Sequence, residues 1–285
     1  QRLVVFCLSA LLALVRAKGT ADCAFVEQDA YNEKTVHIIY SNHLDIGFDG
    51  IGNVLGSDDN VVNKYFDVYF PRAIETSQKL GKDGPFVWTT QSWLISMYLD
   101  CPLGMGFHCP NATAQAAVED AIRKGTITWH AFPHNAQLEL MEPSLLTFGL
   151  DLTHALDRRF GLPPKRTLSQ RDVPGFSRAA LPTLVNPIFQ VGLQGVSVGV
   201  NAGSAPPAVP KGPFWWRDEA SGVQLIAMWH PGGYSGEPVD GRDECQKVEG
   251  FDHILCCAWR GDNAGPHSPE EVRNITARGR TAFPG

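Results

Sequence analysis

The chain has 285 residues, 44% hydrophobic and 19% charged, which is enough apolar material for one large domain or two small ones and excludes a disordered polypeptide. Its 24 Lys and Arg against 30 Asp and Glu leave a net charge of -6. That balance gives no basic footprint for nucleic acid and is too mild for an acidic disordered tail.

At the start of the chain, Arg2 precedes an apolar run over residues 3–15, and small and polar residues follow around Ala17 to Ala21. A basic start, an apolar middle and a small-residue exit describe a secretory signal peptide over residues 1–21. The run is short for a bilayer span, with a signal anchor as the alternative reading. The expectation is a secreted or secretory-lumen protein with no membrane span once the signal is removed. The seven cysteines agree with this. Cys7 would leave with the signal, and the even number that remains permits disulfides in an oxidising compartment. Cys101 and Cys109 flank a Pro/Gly-rich loop and are the preferred pair. Cys256 and Cys257 are adjacent, so one of them can pair with Cys245. The absence of C-x-x-C argues against a cysteine zinc site. Asn111-Ala112-Thr113 and Asn274-Ile275-Thr276 are glycosylation sequons.

Short apolar runs recur at residues 35–40, 85–90, 126–132, 167–173, 195–201, 223–230 and 253–260. Helical patterns lie between several of them. Residues 61–80 carry apolar side chains at helical spacing, with Pro71 expected to kink or divide the helix and Gly81 to close it. Residues 113–124 read as a helix capped by Thr113 and stopped by Gly125. Residues 145–160 read as another, opened by Pro143-Ser144 and closed by Gly161. Residues 177–192 look helical but carry Pro182 and Pro187, so a broken helix is expected. Ser268-Pro269-Glu270-Glu271 is a capping box with proline in the first turn. Strands alternating with helices imply a parallel α/β fold, either a seven-stranded (β/α) barrel or an open sheet. The connections 201–223 and 231–252 are rich in Gly, Pro and Asp and read as long loops.

The first run is followed by the polar tip Ser41-Asn42-His43-Leu44-Asp45. If the tip stays extended, His43 and Asp45 point to the same side and can grip one divalent cation. The alternative is a histidine that merely orients through Asp45 at the end of a strand. Further polar residues gather where the other strands should end: Gln91 and Trp93; His130, His134, Asn135 and Glu139; Gln170 and Asp172; Asn201; His230; Asp262 and Asn263. In parallel barrels that rim carries the catalytic groups. His130, His134, Trp93, Gln170 and His230 are the candidate substrate contacts, with a polar-rim or packing role as the alternative.

These motifs resemble glycoside hydrolase family 38, the α-mannosidases. S-N-H-L-D-I-G-F at 41–48 is similar to the family's H-S-H-W-D-P-G-W opening. S-Q-R-D-V-P-G-F at 169–176 resembles its W-Q-I-D-P-F-G segment. G-T-I-T-W-H-A-F-P-H-N at 125–135 sits where the family has G-G-W-V, and W-R-G-D-N at 259–263 resembles its late G-D-D. The order and approximate spacing fit from about Thr35 to Pro266, nearer to an uncharacterised branch of the superfamily than to the well-studied enzymes. Leu44 and Ser169 stand where the family has Trp. The resemblance implies a (β/α) barrel of the glycoside hydrolase and deacetylase type over residues 34–285, a fragment incomplete at its C-terminal end. It implies one zinc ion held by His43, Asp45 and Asp172, with a fourth ligand beyond Gly285. It also implies a retaining glycosidase acting on carbohydrate, with Asp172 as nucleophile. Asp262 is the candidate acid/base and Glu139 its runner-up. A metal-dependent polysaccharide deacetylase and a non-catalytic carbohydrate-binding protein are the competing readings.

Overall fold

The structure is a computed structural model, and it describes residues 35–46, 60–81, 84, 86–173, 176–188, 191–200, 209–210, 212–230, 245–248 and 250–282. The signal-like segment, Cys23 and Asn201 lie outside these residues, as does the side chain of His230.

All the apolar runs become strands, and wherever two of these strands pair with each other they pair in parallel. β1 (Thr35–His43) is the middle of a five-stranded sheet with β2 (Trp88–Thr90), β3 (Ile127–Trp129), β8 (Cys245–Lys247) and β9 (His253–Asp262), in the order β3-β2-β1-β9-β8. A second sheet of four has the order β4-β5-β7-β6, from β4 (Thr167–Val173), β5 (Gly195–Val200), β6 (Phe214–Arg217) and β7 (Gln224–His230). β1 is buried from Val36 to His43, as its unbroken apolar start requires of a strand covered on both faces. It continues three residues past Tyr40, so Asn42 and His43 belong to the strand and not to a free tip.

Two short strands correct the reading of the long connections as loops. β6 pairs antiparallel with β7, and β8 pairs antiparallel with β9. The Cys245–Cys256 disulfide ties β8 to β9, and Cys101–Cys109 closes the loop predicted for it. Cys257 is buried and lies outside both bridges.

The helices follow the local signals with small corrections. The long helix starts as α1 (Val61–Lys64), passes through a π-helical stretch over Tyr65–Tyr69 and continues as α2 (Phe70–Leu80). Phe70 N–H reaches back to the Tyr65 carbonyl, five residues away. Thus the chain absorbs Pro71, which has no N–H to donate, by widening the preceding turn rather than by breaking. α3 is Ser92–Asp100. α4 (Ala112–Arg123) is capped by Asn111 and not by Thr113: Asn111 Oδ1 accepts from Ala114 N at 2.9 Å. α5 is Pro143–Arg159, and the proline-interrupted segment yields only a 3₁₀ turn and α6 (Leu181–Val185). α7 (Pro269–Ala282) opens on the expected capping box, with Ser268 N donating to Glu271 Oε2 at 2.6 Å and Glu271 N to Ser268 Oγ at 3.3 Å. No helix among the described residues is long and apolar enough to cross a membrane.

Each sheet packs its outer face on helices. Tyr40, Trp88, Trp129 and Ile254 meet α1 to α4 and α7, while Leu168, Val196, Val198 and Leu225 meet α5 and α6. The inner faces meet through Ile39, Ile226, Met228, Leu255, Cys257 and Trp259. Ala131 N donates to Thr167 O at 2.9 Å and links the end of β3 to β4, but among the described residues no strand ladder closes the two sheets into a barrel.

Candidate functional site

Because the strands are parallel, their C-terminal ends share one rim, and β1, β4 and β9 each deliver one side chain to a common point there. Ligand atoms of His43, Asp172 and Asp262 all lie within 4.8 Å of one another; the histidine is buried, Asp172 half-buried and Asp262 exposed. Two of the three owe their position to an irregularity. The β4–β5 register runs Arg171 to Gly199 and then Val173 to Val200, so Asp172 is an extra residue, with its backbone at φ 51. The β1–β9 register runs Asn42 to Arg260 and then His43 to Asp262, so Gly261 is the extra residue there. Bulges of this kind re-aim side chains. A left-handed aspartate and, at φ 50, a left-handed Asn263 mark local backbone strain concentrated on this rim.

Asp45, the other expected ligand, meets His43 as the alternation required: His43 Nε2 and Asp45 Oδ1 are 2.9 Å apart. It is not a member of the mutually close set; Asp262 takes that place. Burial raises the Asp45 pKa, His43 opposes that rise, and the Asp262 and Asp172 carboxylates reinforce it. Three carboxylates around one imidazole repel one another, and a divalent cation among them would relieve that repulsion. Imidazole nitrogen with carboxylate oxygen is a donor set suited to zinc, so the residues fit such an ion.

A hydrogen-bonded frame holds the rim. Asn263 N donates to the His43 carbonyl at 2.9 Å, and Asp45 N donates to Asn263 Oδ1 at 3.1 Å. Tyr69 Oη donates to the Asn263 carbonyl at 2.6 Å and Tyr65 Oη to that of His43 at 3.1 Å. Asn135 is the residue whose part the sequence did not disclose. Its Oδ1 accepts from Arg171 N at 3.2 Å, and its Nδ2 is 2.7 Å from His43 Nδ1.

Beneath this rim Arg171 is wholly buried, donates to Ser197 Oγ at 2.5 Å and lies over the Trp259 ring at 4.2 Å. Burial holds its pKa down at about 10, with Cys257 opposing.

The other expected contacts are scattered. His130 is buried, 3% exposed, and accepts from Phe132 N at 3.3 Å. Burial, then His134 and Arg171, hold its pKa down at about 3, so it is a neutral interior histidine. His134 is half-buried beside the Asn135 carbonyl, and Trp93 packs on the larger apolar cluster. Gln170 is buried, with its amide on the Ala136 carbonyl. Glu139 is exposed on the 3₁₀ turn Leu138–Leu140 and is not part of the cluster. Asn111 and Asn274 are exposed, the first as the cap of α4 and the second on α7.

No family model matches the sequence. No curated protein matches it either. Solved structures do share the fold. One is a glycosyl hydrolase family 38 protein from Enterococcus faecalis, with 11% identity and a TM-score of 0.52 over 90% of this chain and 26% of that one. Another is the 4-alpha-glucanotransferase from Thermococcus litoralis, with 11% identity and a TM-score of 0.50 over 84% of this chain and 36% of that one. At these identities the likeness is one of fold. The chain spans between a quarter and two-fifths of the length of these two proteins.

Proposed function

We propose that this chain carries the catalytic centre of a secreted, zinc-dependent retaining glycosidase of α-mannosidase type. The observation that carries the reading is the convergence of His43, Asp172 and Asp262 at the C-terminal ends of three parallel strands. The likeness in fold to two proteins named for carbohydrate chemistry supports it.

His43 and Asp172 would hold the ion, together with Asp45, whose Oδ1 already lies 2.9 Å from His43 Nε2. When bound, zinc would orient sugar hydroxyls and offset negative charge. Asp172 attacks the anomeric carbon and forms a glycosyl ester. Asp262 gives its proton to the departing oxygen, then takes one from the water that cleaves the ester. One carboxylate oxygen of each lies within 4.8 Å of the other, so the two groups are neighbours, as a nucleophile and an acid/base acting on one bond must be. Exposure suits Asp262 to this task, since the proton must reach a leaving group and be replaced from solvent.

The test is incubation of the chain with an aryl α-mannoside and with an acetylated chitooligosaccharide, each with and without chelator. Chelator-sensitive release of the aryl group supports the proposal. Acetate release instead would make the site a deacetylase. Binding of either sugar without turnover would make it a carbohydrate-binding protein.

A further inference from the structure

We propose that Asn135 fixes the tautomer of His43 and thereby controls access of a metal ion to the site. The hydrogen bonds that run through Asn135 have one possible direction. The Arg171 backbone N–H can only donate, so the Asn135 atom 3.2 Å from it is the amide oxygen. The other end of that planar amide is then NH₂, and it lies 2.7 Å from His43 Nδ1. An NH₂ group only donates, so Nδ1 must offer its lone pair. The single proton of a neutral imidazole therefore sits on Nε2, where Asp45 Oδ1 accepts it at 2.9 Å. The direction of the whole relay, from the main chain of β4 to the carboxylate of Asp45, is set by one backbone N–H.

That arrangement opposes metal binding. With Nδ1 occupied by Asn135, Nε2 is the nitrogen left for a cation, and a ligand nitrogen must present a lone pair. Binding there moves the Nε2 proton to Nδ1 or releases it to solvent. A proton on Nδ1 would point at the N–H of Asn135, donor against donor. Turning the amide over removes that conflict but leaves the N–H of the buried Arg171 facing NH₂. Metal-bound histidines ordinarily donate their second nitrogen to a carboxylate or carbonyl. Asn135 puts a donor in that place. Asn135 is thus a positioning residue that must give way when an ion enters. The part concerning metal rests on the proposed metal centre; the tautomer does not.

The experiment uses the full chain, ¹⁵N-labelled and stripped of metal, with the His43 signals assigned by loss in His43→Gln. Long-range ¹H–¹⁵N spectra report which ring nitrogen is protonated, and zinc affinity is read by competition with a chelator. In the wild type the proton should be on Nε2. In Asn135→Asp one carboxylate oxygen keeps the Arg171 N–H and the other accepts from Nδ1, so Nδ1 should become protonated and zinc should bind about 10–100-fold tighter. Asn263→Asp adds the same charge to the same rim without touching Nδ1. It should leave the proton on Nε2 and gain less affinity. A metal-free wild type protonated on Nδ1 overturns the proposal, as does an equal gain in both aspartate variants. If the proton moves as described but none of the chains takes up zinc, the metal centre is refuted and the tautomer lock stands.

Discussion

His43 stands opposite Asp262 and not opposite Gly261, although the preceding pair is Asn42 with Arg260. Trp259 points into the space between the sheets. Strict alternation would then send Gly261 inward and Asp262 out toward the helices. One unpaired glycine reverses this and brings the carboxylate to the histidine. The same device operates in β4, where the unpaired residue is Asp172 itself. Asp172 and Asp262, the two acids that β4 and β9 bring to His43, are therefore products of interrupted ladders.

Their proposed roles separate on substitution. Asp172→Asn should weaken zinc binding and lower turnover together, the latter on the order of 10⁴-fold, as for loss of a member of a catalytic unit. Asp262→Asn should lower turnover while weakening zinc binding much less than Asp172→Asn does, and azide should restore part of the rate by replacing the water step. Zinc affinity by chelator competition and aryl mannoside rates with azide check both. Loss of zinc in Asp262→Asn would make that residue a ligand rather than the acid/base.

The rim is also sensitive to a residue that touches none of the acids. Gly265 has φ 72, and a Cβ there would come within 2.4 Å of the Tyr69 ring. Tyr69 in turn holds the Asn263 carbonyl. Gly265→Ala combines a left-handed backbone with overpacking, and should cost about 2–4 kcal/mol of stability. Urea unfolding measures the cost. Because Asn263 braces both His43 and Asp45, zinc affinity should fall as well; an unchanged affinity would show that the brace does not act on the site.

Features that depend on local chemistry were legible in the sequence. The apolar runs, the Ser268–Glu271 box and the stops at Gly81, Gly125 and Gly161 all act within a few residues, and all are present. The N-cap of α4 was misplaced because Asn111 and Thr113 are both good caps two residues apart, and only the fold selects one. β6 and β8 were hidden because each is three or four residues long and is held by a neighbour, β7 or β9, distant from any local signal. His43, Asp45, Asp172 and Asp262 were visible as polar residues at strand ends. The bulges that aim two of them have no local signature beyond one glycine, and Asn135 carried no hint of its two partners.

The Cys245–Cys256 bridge supplies a prediction about stability. It closes a separation of 11 residues and fastens a three-residue edge strand to a buried one. Cys245→Ala should cost about 2–3 kcal/mol. In reductant the wild type should lose that amount together with what Cys101–Cys109 contributes, while the variant should lose only the latter. Equal midpoints for wild type and variant under oxidising conditions would mean that the bridge adds nothing to the fold.

Two buried histidines make the protein sensitive to mild acid. Burial, reinforced by His134 and Arg171, holds His130 at about 3. Burial and Arg260, opposed by Glu271, hold His267 at about 4. In the unfolded chain both titrate near 6.5. Between 6.5 and these lowered values the unfolded chain binds protons that the folded chain refuses. Stability therefore falls as the pH drops through that window, by at most about 1.4 kcal/mol per pH unit for each residue. From pH 7.5 to pH 5 the loss should be roughly 2–4 kcal/mol, and His267→Gln should remove about half of it. Urea midpoints at the two pH values, for wild type and variant, measure this directly. A wild-type midpoint that stays constant between pH 7.5 and 5 would show that these imidazoles are accessible to protons in the folded chain, contrary to their burial.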